Sequence, residues 1–167
     1  VCDFTSDINL GSHPLEVSFS DNSFGILTSW EWDFDNNGTI DSFEQNPTWT
    51  YNAPGIYTVS LTIGDGDSLD AEMKTDLITV INTDPILQNP LGSITMYEDV
   101  IDSTSINLNN FFSDPNGDEL TYTFMGNDSI SVEVLVDGRV FFTPVENWYG
   151  TETIYFTADD MWDSDLQ

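Results

Sequence analysis

The chain of 167 residues carries 30 acidic side chains against two basic ones, Lys74 and Arg139, for a formal net charge of −28 at pH 7. The acids are spread evenly, and such a surface repels nucleic acid and anionic membranes, which excludes both as partners, while it attracts divalent cations. With 39% hydrophobic and 13% aromatic residues the sequence is no disordered acidic tail, and it offers no run of about 18 apolar residues to span a membrane.

Taken in chain order, the pattern is strand after strand. Val1 already reads as strand with no signal segment before it, so the sequence reads as an internal fragment. Cys2 is the one cysteine and fits a small buried apolar position in the first strand. Strict alternation of apolar and polar residues marks strands at 15–19, 30–34 and 57–63, and 77–81 closes the first half. In the second half Ile106 and Leu108 alternate, then Leu120, Tyr122 and Phe124, then Val132, Val134 and Val136. Val140 with Phe142, and Ile154 with Phe156 and Ala158, complete the set. Gly, Asn, Asp and Pro punctuate these strands at intervals of about 8–12 residues, and no window shows a helical period. The fold class is therefore all-β, two tandem immunoglobulin-like sandwiches, 1–82 and 83–167. Between them 84–93 reads as a short, stiff, proline-bearing linker that holds the two in a fixed relative orientation. Met161 and the acidic residues after it lead to where a last strand of the second sandwich should begin, and the chain stops at Gln167 without it.

Two stretches carry oxygen ligands at metal-binding spacing. In Phe112-Ser113-Asp114-Pro115-Asn116-Gly117-Asp118-Glu119-Leu120-Thr121-Tyr122, the side chains of Asp114, Asn116 and Asp118 alternate around a Pro-Asn-Gly turn. Alternate residues can aim oxygens at one hard cation, and calcium accepts six to eight of them at roughly 2.3–2.6 Å. The same residues also form a strong β-turn signal with or without a metal. In the first half Asp33, Asp35, Asn37, Gly38, Thr39 and Asp41 follow the register of a calcium loop but lack its closing Glu and flanking helices. That loop reads equally as a polar turn with Asp33 bonded to backbone.

Residues 1–82 resemble a PKD (polycystic kidney disease) domain through Trp30-Glu31-Trp32-Asp33-Phe34, Asn46-Pro47-Thr48-Trp49-Thr50-Tyr51, and Pro54-Gly55 with the strand after it. They depart from it in the longer loop after Phe34 and in Trp49, where the family usually has His. Residues 83–167 resemble cadherin-like domains of bacterial surface proteins. The carrying segments are Tyr97-Glu98-Asp99, the Asp114 to Asp118 motif, Phe142-Thr143-Pro144 with Tyr149-Gly150, and Thr157-Ala158-Asp159-Asp160. This second resemblance implies calcium ligands at Asp114, Asn116, Asp118 and Asp159, with Asp160 beside the last. It further implies linker ligands at Asn82 and Asp84, and Glu98 at the opposite pole.

Catalysis has little to stand on. His13 is the single histidine and reads as part of a surface turn, so no zinc set exists, and the acids fall in turns with no cleft. The expected function is a calcium-rigidified spacer or adhesion segment of a large extracellular or cell-surface protein. Its partners are calcium, neighbouring domains of the same polypeptide, and another surface protein or a glycan. The alternative is a carbohydrate-binding accessory module of a secreted hydrolase, for which Trp30, Trp49, Trp148 and Trp162 are the stacking candidates.

Overall fold

A computed structural model describes residues 1–162, which divide into two compact units, one of Val1–Asn82 and one beginning at Thr83. The expected start of a last strand, at 163–167, lies outside the described residues. The first unit contains β1 (Phe4–Ser6), β2 (Leu10–Ser12), β3 (Leu15–Asp21), β4 (Ser29–Asp33), β5 (Thr48–Tyr51), β6 (Gly55–Gly64) and β7 (Leu69–Ile81). Four of these form a sheet in the order β2-β7-β6-β4, and the other three a sheet in the order β1-β3-β5. All pairings are antiparallel except β2 with β7.

The two-residue period explains which side chains meet between the sheets. Leu15, Val17 and Phe19 point inward from β3, Val59, Leu61 and Ile63 from β6, and Ile78 and Val80 from β7. Trp32 is wholly buried, with its ring centroid 5.1 Å from that of Phe4, 5.6 Å from Phe19 and 5.8 Å from Phe34. Its Nε1–H donates to the Glu44 carbonyl at 2.8 Å, so the indole is satisfied as well as buried. Cys2 is buried as expected, although it precedes β1 instead of lying in it.

The second unit contains β8 (Ile86–Leu87), a single 3-10 turn at Leu108–Asn110, β9 (Phe112–Ser113), β10 (Thr121–Met125), β11 (Ile130–Val134), β12 (Val140–Pro144) and β13 (Tyr155–Asp159). Its strands pair antiparallel as β8 with β9, β10 with β13, and β11 with β12. Part of what read as linker is thus strand, because Ile86 and Leu87 pair with Ser113 and Phe112. Ile106 and Leu108 lie in no strand. Asn107 forms an isolated bridge with Arg139, and its Oδ1 accepts from Asn109 N at 3.0 Å, capping the 3-10 turn. Val136 falls in the turn between β11 and β12 and is 94% exposed. The buried core here is Ile106, Leu108, Val132, Val140 and Phe142, a sparser set than in the first unit.

That β11–β12 turn depends on Gly138, at φ +79°, a conformation costly for any residue with a Cβ. A Cβ there would stand 2.6 Å from Asn109 Oδ1 and 2.8 Å from Asn107 Oδ1, and both amides are held by the Asp137 carbonyl at 3.2 Å. Gly138→Ala is expected to destabilise the second unit by at least about 1–2 kcal/mol, read as a lower midpoint of denaturant unfolding.

Candidate functional site

The segment after β9 folds around Asp114. Its Oδ1 accepts three backbone N–H groups, from Asn116 at 2.7 Å, Gly117 at 2.9 Å and Asp118 at 3.2 Å. Gly117 takes φ +88°, which lets the chain close over the carboxylate. With Oδ1 engaged, Oδ2 of Asp114 is left buried, and it accepts no hydrogen bond among the described residues. Carboxylate oxygens of Asp114, Asp118 and Asp160 lie within 4.8 Å of one another. Asp160 is 5% exposed, and its Oδ1 accepts from Trp162 N at 3.0 Å. At such separations each pair of carboxylates repels by on the order of 3 kcal/mol in an effective dielectric near 20, and a divalent cation reverses the sign of that interaction.

The other expected ligands of this unit are placed differently. Asp159 is exposed at the end of β13, and its Oδ1 accepts from Met161 N at 2.8 Å. Asp159 closes β13 on its exposed side, whereas Asp160, the next residue and already outside the strand, is buried and joins the cluster. Asn116 Oδ1 accepts from Thr83 N at 2.8 Å, tying the loop to the first residue of its unit. Asp84 and Glu98 are exposed and lie outside the cluster. Asn82 belongs to the first unit, where its Oδ1 lies 3.0 Å from His13 Nε2.

A second carboxylate group forms in the first unit, on a loop that leaves and rejoins the sheet at one place. Asp41 N donates to the Trp32 carbonyl at 2.7 Å, and Trp32 and Ser42 form a bridge, so the intervening residues are an excursion from β4. Oxygens of Asp33, Asp35 and Asp41 lie within 4.8 Å of one another. The buried Asp33 accepts from Asn37 N at 3.2 Å and Gly38 N at 2.8 Å. Asp35 accepts from Asn37 N at 3.2 Å and from its Nδ2 at 2.9 Å, while Asn37 Oδ1 accepts from Thr39 N at 2.7 Å. Asp41 Oδ2 accepts from Phe34 N at 2.8 Å. Burial pushes the Tyr51 phenol up, and the charges of Asp41 and Asp35 push it further. Tyr57 is raised by burial and then by Asp35. Both phenols stay protonated, Tyr51 donating to the Phe34 carbonyl at 3.0 Å and Tyr57 to that of Ala53 at 2.9 Å.

With this geometry in view, comparison with known families gives two adjacent matches, a PKD domain over residues 3–80 and a bacterial Ig domain over residues 82–164. The chain is a PKD domain followed by a bacterial Ig domain. The pre-pro-metalloprotease PrtV of Vibrio cholerae is 33% identical over 112 residues, which is 64% of this chain and only 12% of that protein's length. Among solved structures, the PKD1 domain of Vibrio anguillarum Epp is 33% identical with a TM-score of 0.39, covering 48% of this chain and 94% of that one. The PKD1 domain of the Vibrio cholerae metalloprotease PrtV is 32% identical with a TM-score of 0.38, covering 47% of this chain and 93% of that one. The second match is thus to a bacterial Ig domain, within the immunoglobulin-like class that the cadherin-like resemblance implied.

Within the PKD domain, His13 corrects the sequence reading. It lies in no exposed turn but is 3% exposed, with its N–H bonded to the Ile81 carbonyl at 3.1 Å. Trp30 and Trp49 pack against the PKD core; Trp30 Nε1 donates to Asp21 Oδ2 at 2.7 Å, and Trp49 stacks on Phe34 at 5.0 Å. In the Ig domain Trp148 is half-buried in a groove and Trp162 is exposed. Glu152, on the wall of that groove, drew no notice in the sequence because a single Glu between threonines carries no motif.

Proposed function

We propose that the chain is a calcium-binding, calcium-stiffened spacer or adhesion segment of a large extracellular or cell-surface protein, without catalytic activity of its own. The observation that carries this reading is the Asp114, Asp118 and Asp160 cluster, with Asp114 Oδ2 buried and unbonded among the described residues. An all-oxygen, carboxylate-rich donor set suits a hard cation, and its size tolerance favours calcium over magnesium or zinc. Calcium bound there supplies the positive charge that three convergent carboxylates need. Asp114 then has two tasks, Oδ1 shaping the loop and Oδ2 facing the cation, while Asn116 fastens the same loop to Thr83. Asp33, Asp35 and Asp41 form a second candidate set in the PKD domain, with Asn37 and Thr39 supporting the loop. No helix of the described residues is long and apolar enough to cross a membrane. A glycan-binding role draws less support, since Trp30 and Trp49 are committed to the PKD core.

Calorimetric titration of the chelator-treated chain tests this. Calcium is expected to bind with Kd in the range of about 10⁻⁴ M or tighter, magnesium far more weakly, and Asp160→Asn to weaken the Ig-domain site at least about tenfold. Heat no greater for calcium than for magnesium, or an unchanged titration in Asp160→Asn, overturns the assignment.

A further inference from the structure

Two loops of this chain carry the same chemically reactive dipeptide. Asn37-Gly38 and Asn116-Gly117 are its two Asn-Gly pairs, one in each domain. In such a pair the Gly nitrogen is a nucleophile supplied by the chain itself. It bonds to the Asn Cγ, the Cγ–Nδ2 bond breaks, and the Gly proton leaves with the amide group as ammonia. Water then opens the resulting succinimide at either of its carbonyls, leaving Asp or isoaspartate. Glycine favours the reaction because no Cβ hinders ring closure. Both loops nevertheless need it, at φ +86° for Gly38 and +88° for Gly117.

In the fold both nucleophiles are held. The Gly38 N–H donates to Asp33 Oδ2 at 2.8 Å, and the Gly117 N–H donates to Asp114 Oδ1 at 2.9 Å. A carboxylate at that distance fixes the nitrogen in place, and its charge opposes the loss of the proton that the attack requires. The Asn side chains are tied as well. Asn37 Nδ2 donates to Asp35 Oδ2 at 2.9 Å and its Oδ1 accepts from Thr39 N at 2.7 Å, while Asn116 Oδ1 accepts from Thr83 N at 2.8 Å. Ring closure has to break these bonds first, so it waits on local opening of each loop. We infer that Asn37 and Asn116 are deamidation sites, kept inert in the folded loops by the carboxylates of Asp33 and Asp114 and reactive once a loop opens. Loss of ammonia makes each event one-way. At Asn116 the Asp product adds a carboxylate to a loop that already carries Asp114 and Asp118, and the isoaspartate product lengthens the main chain before Gly117 by a methylene. Either product alters the loop permanently, so the two sites record how long each loop has stood open. This rests on hydrogen bonds within the loops and is independent of calcium.

The 167-residue chain is incubated with chelator, once folded and once in concentrated urea, and peptide mapping by mass spectrometry follows Asn, Asp and isoaspartate at both positions. Rates are read at a temperature where near-ultraviolet circular dichroism shows every variant folded. Each site is expected to react at least about tenfold more slowly in the folded chain than in urea. Asp114→Asn, which keeps an acceptor but removes the charge, should speed Asn116 at least about threefold and leave Asn37 unchanged. Asp33→Asn should do the reverse. Gly138→Ala, which strains a turn elsewhere in the Ig domain, should speed Asn116 less than Asp114→Asn does. Equal rates in the folded and unfolded chain overturn the inference. So does a rate at Asn116 indifferent to Asp114→Asn, or one at Asn37 indifferent to Asp33→Asn. Acceleration of both positions by either variant, or as much from Gly138→Ala as from Asp114→Asn, assigns the protection to overall stability and overturns the guarding role of the two carboxylates.

Discussion

Chelating calcium is expected to lower the melting temperature of the Ig domain by about 10–20 °C and that of the PKD domain by less. Calcium at a hundredfold excess over Kd stabilises the state that binds it by about 2.7 kcal/mol, and each kcal/mol moves the midpoint of a domain this size by roughly 4–8 °C. The Ig domain has less in reserve, because among the described residues its hydrophobic core has five buried side chains against thirteen in the PKD domain. The informative variant is Asp160→Asn, which keeps the shape of a buried side chain and its bond from Trp162 N but removes a charge from the cluster. Asp114→Ala also removes the acceptor of three loop N–H groups, so it lowers the stability of the metal-free state as well. Scanning calorimetry of parent and Asp160→Asn, each with calcium and with chelator, separates the two effects. An Asp160→Asn protein whose Ig transition gains as much from calcium as the parent's contradicts this site.

The largest single-residue loss of stability should come from Trp32→Ala. The indole is fully buried among Phe4, Phe19 and Phe34, so its removal leaves a cavity bounded by rigid rings from both sheets. Aromatic-to-alanine changes in such cores cost about 3–5 kcal/mol, and the Glu44 carbonyl also loses its indole donor. Against a total stability of about 5–15 kcal/mol for a typical domain, this is enough to leave the PKD domain marginal at 25 °C. Urea unfolding followed by tryptophan fluorescence of Trp30 and Trp49 should show a lower midpoint with an unchanged slope. A midpoint within about 0.5 M of the parent's, which corresponds to roughly 1 kcal/mol, contradicts the central position of Trp32 in the core.

How much of this was legible beforehand follows from how each signal arises. Long strands with one face in the core declare themselves by alternation, so β3, β4, β6 and β10 to β13 could be read within a residue or two. The start of β7, from Leu69 to Lys74, could not, because it is exposed on both faces and carries no apolar period. β8 was hidden for another reason: two residues are too few to show a pattern, and their partner Phe112–Ser113 lies far along the chain. At Ile106 and Leu108 the apolar spacing was real, but the intervening Asn107 spends its side chain on the backbone of Asn109 and bends the chain into a 3-10 turn. The Asp114 and Asp118 pairing was legible because Pro-Asn-Gly fixes a local turn. The choice between Asp159 and Asp160 was not, since it depends on the residue at which β13 ends, and strand ends are where alternation stops carrying information. The burial of His13 is likewise tertiary, created by the Ile81 carbonyl and Asn82 arriving from the far end of the domain.

The scarcity of cations also has a bearing on survival among digestive enzymes. Proteases that cut after Lys or Arg meet only two susceptible positions in the whole sequence, at Lys74 and Arg139. Lys74 lies within β7, paired to Val59, with its ammonium over the Phe4 ring at 4.7 Å and bound to Asp3 at 2.9 Å. Arg139 directly precedes β12, with its Nε donating to Asp137 at 2.8 Å. A protease needs several residues of extended, unpaired backbone in its cleft, so at Lys74 cleavage must wait for the sheet to open locally. Hydrolysis after Lys74 by trypsin-like enzymes is thereby coupled to local opening of the PKD sheet.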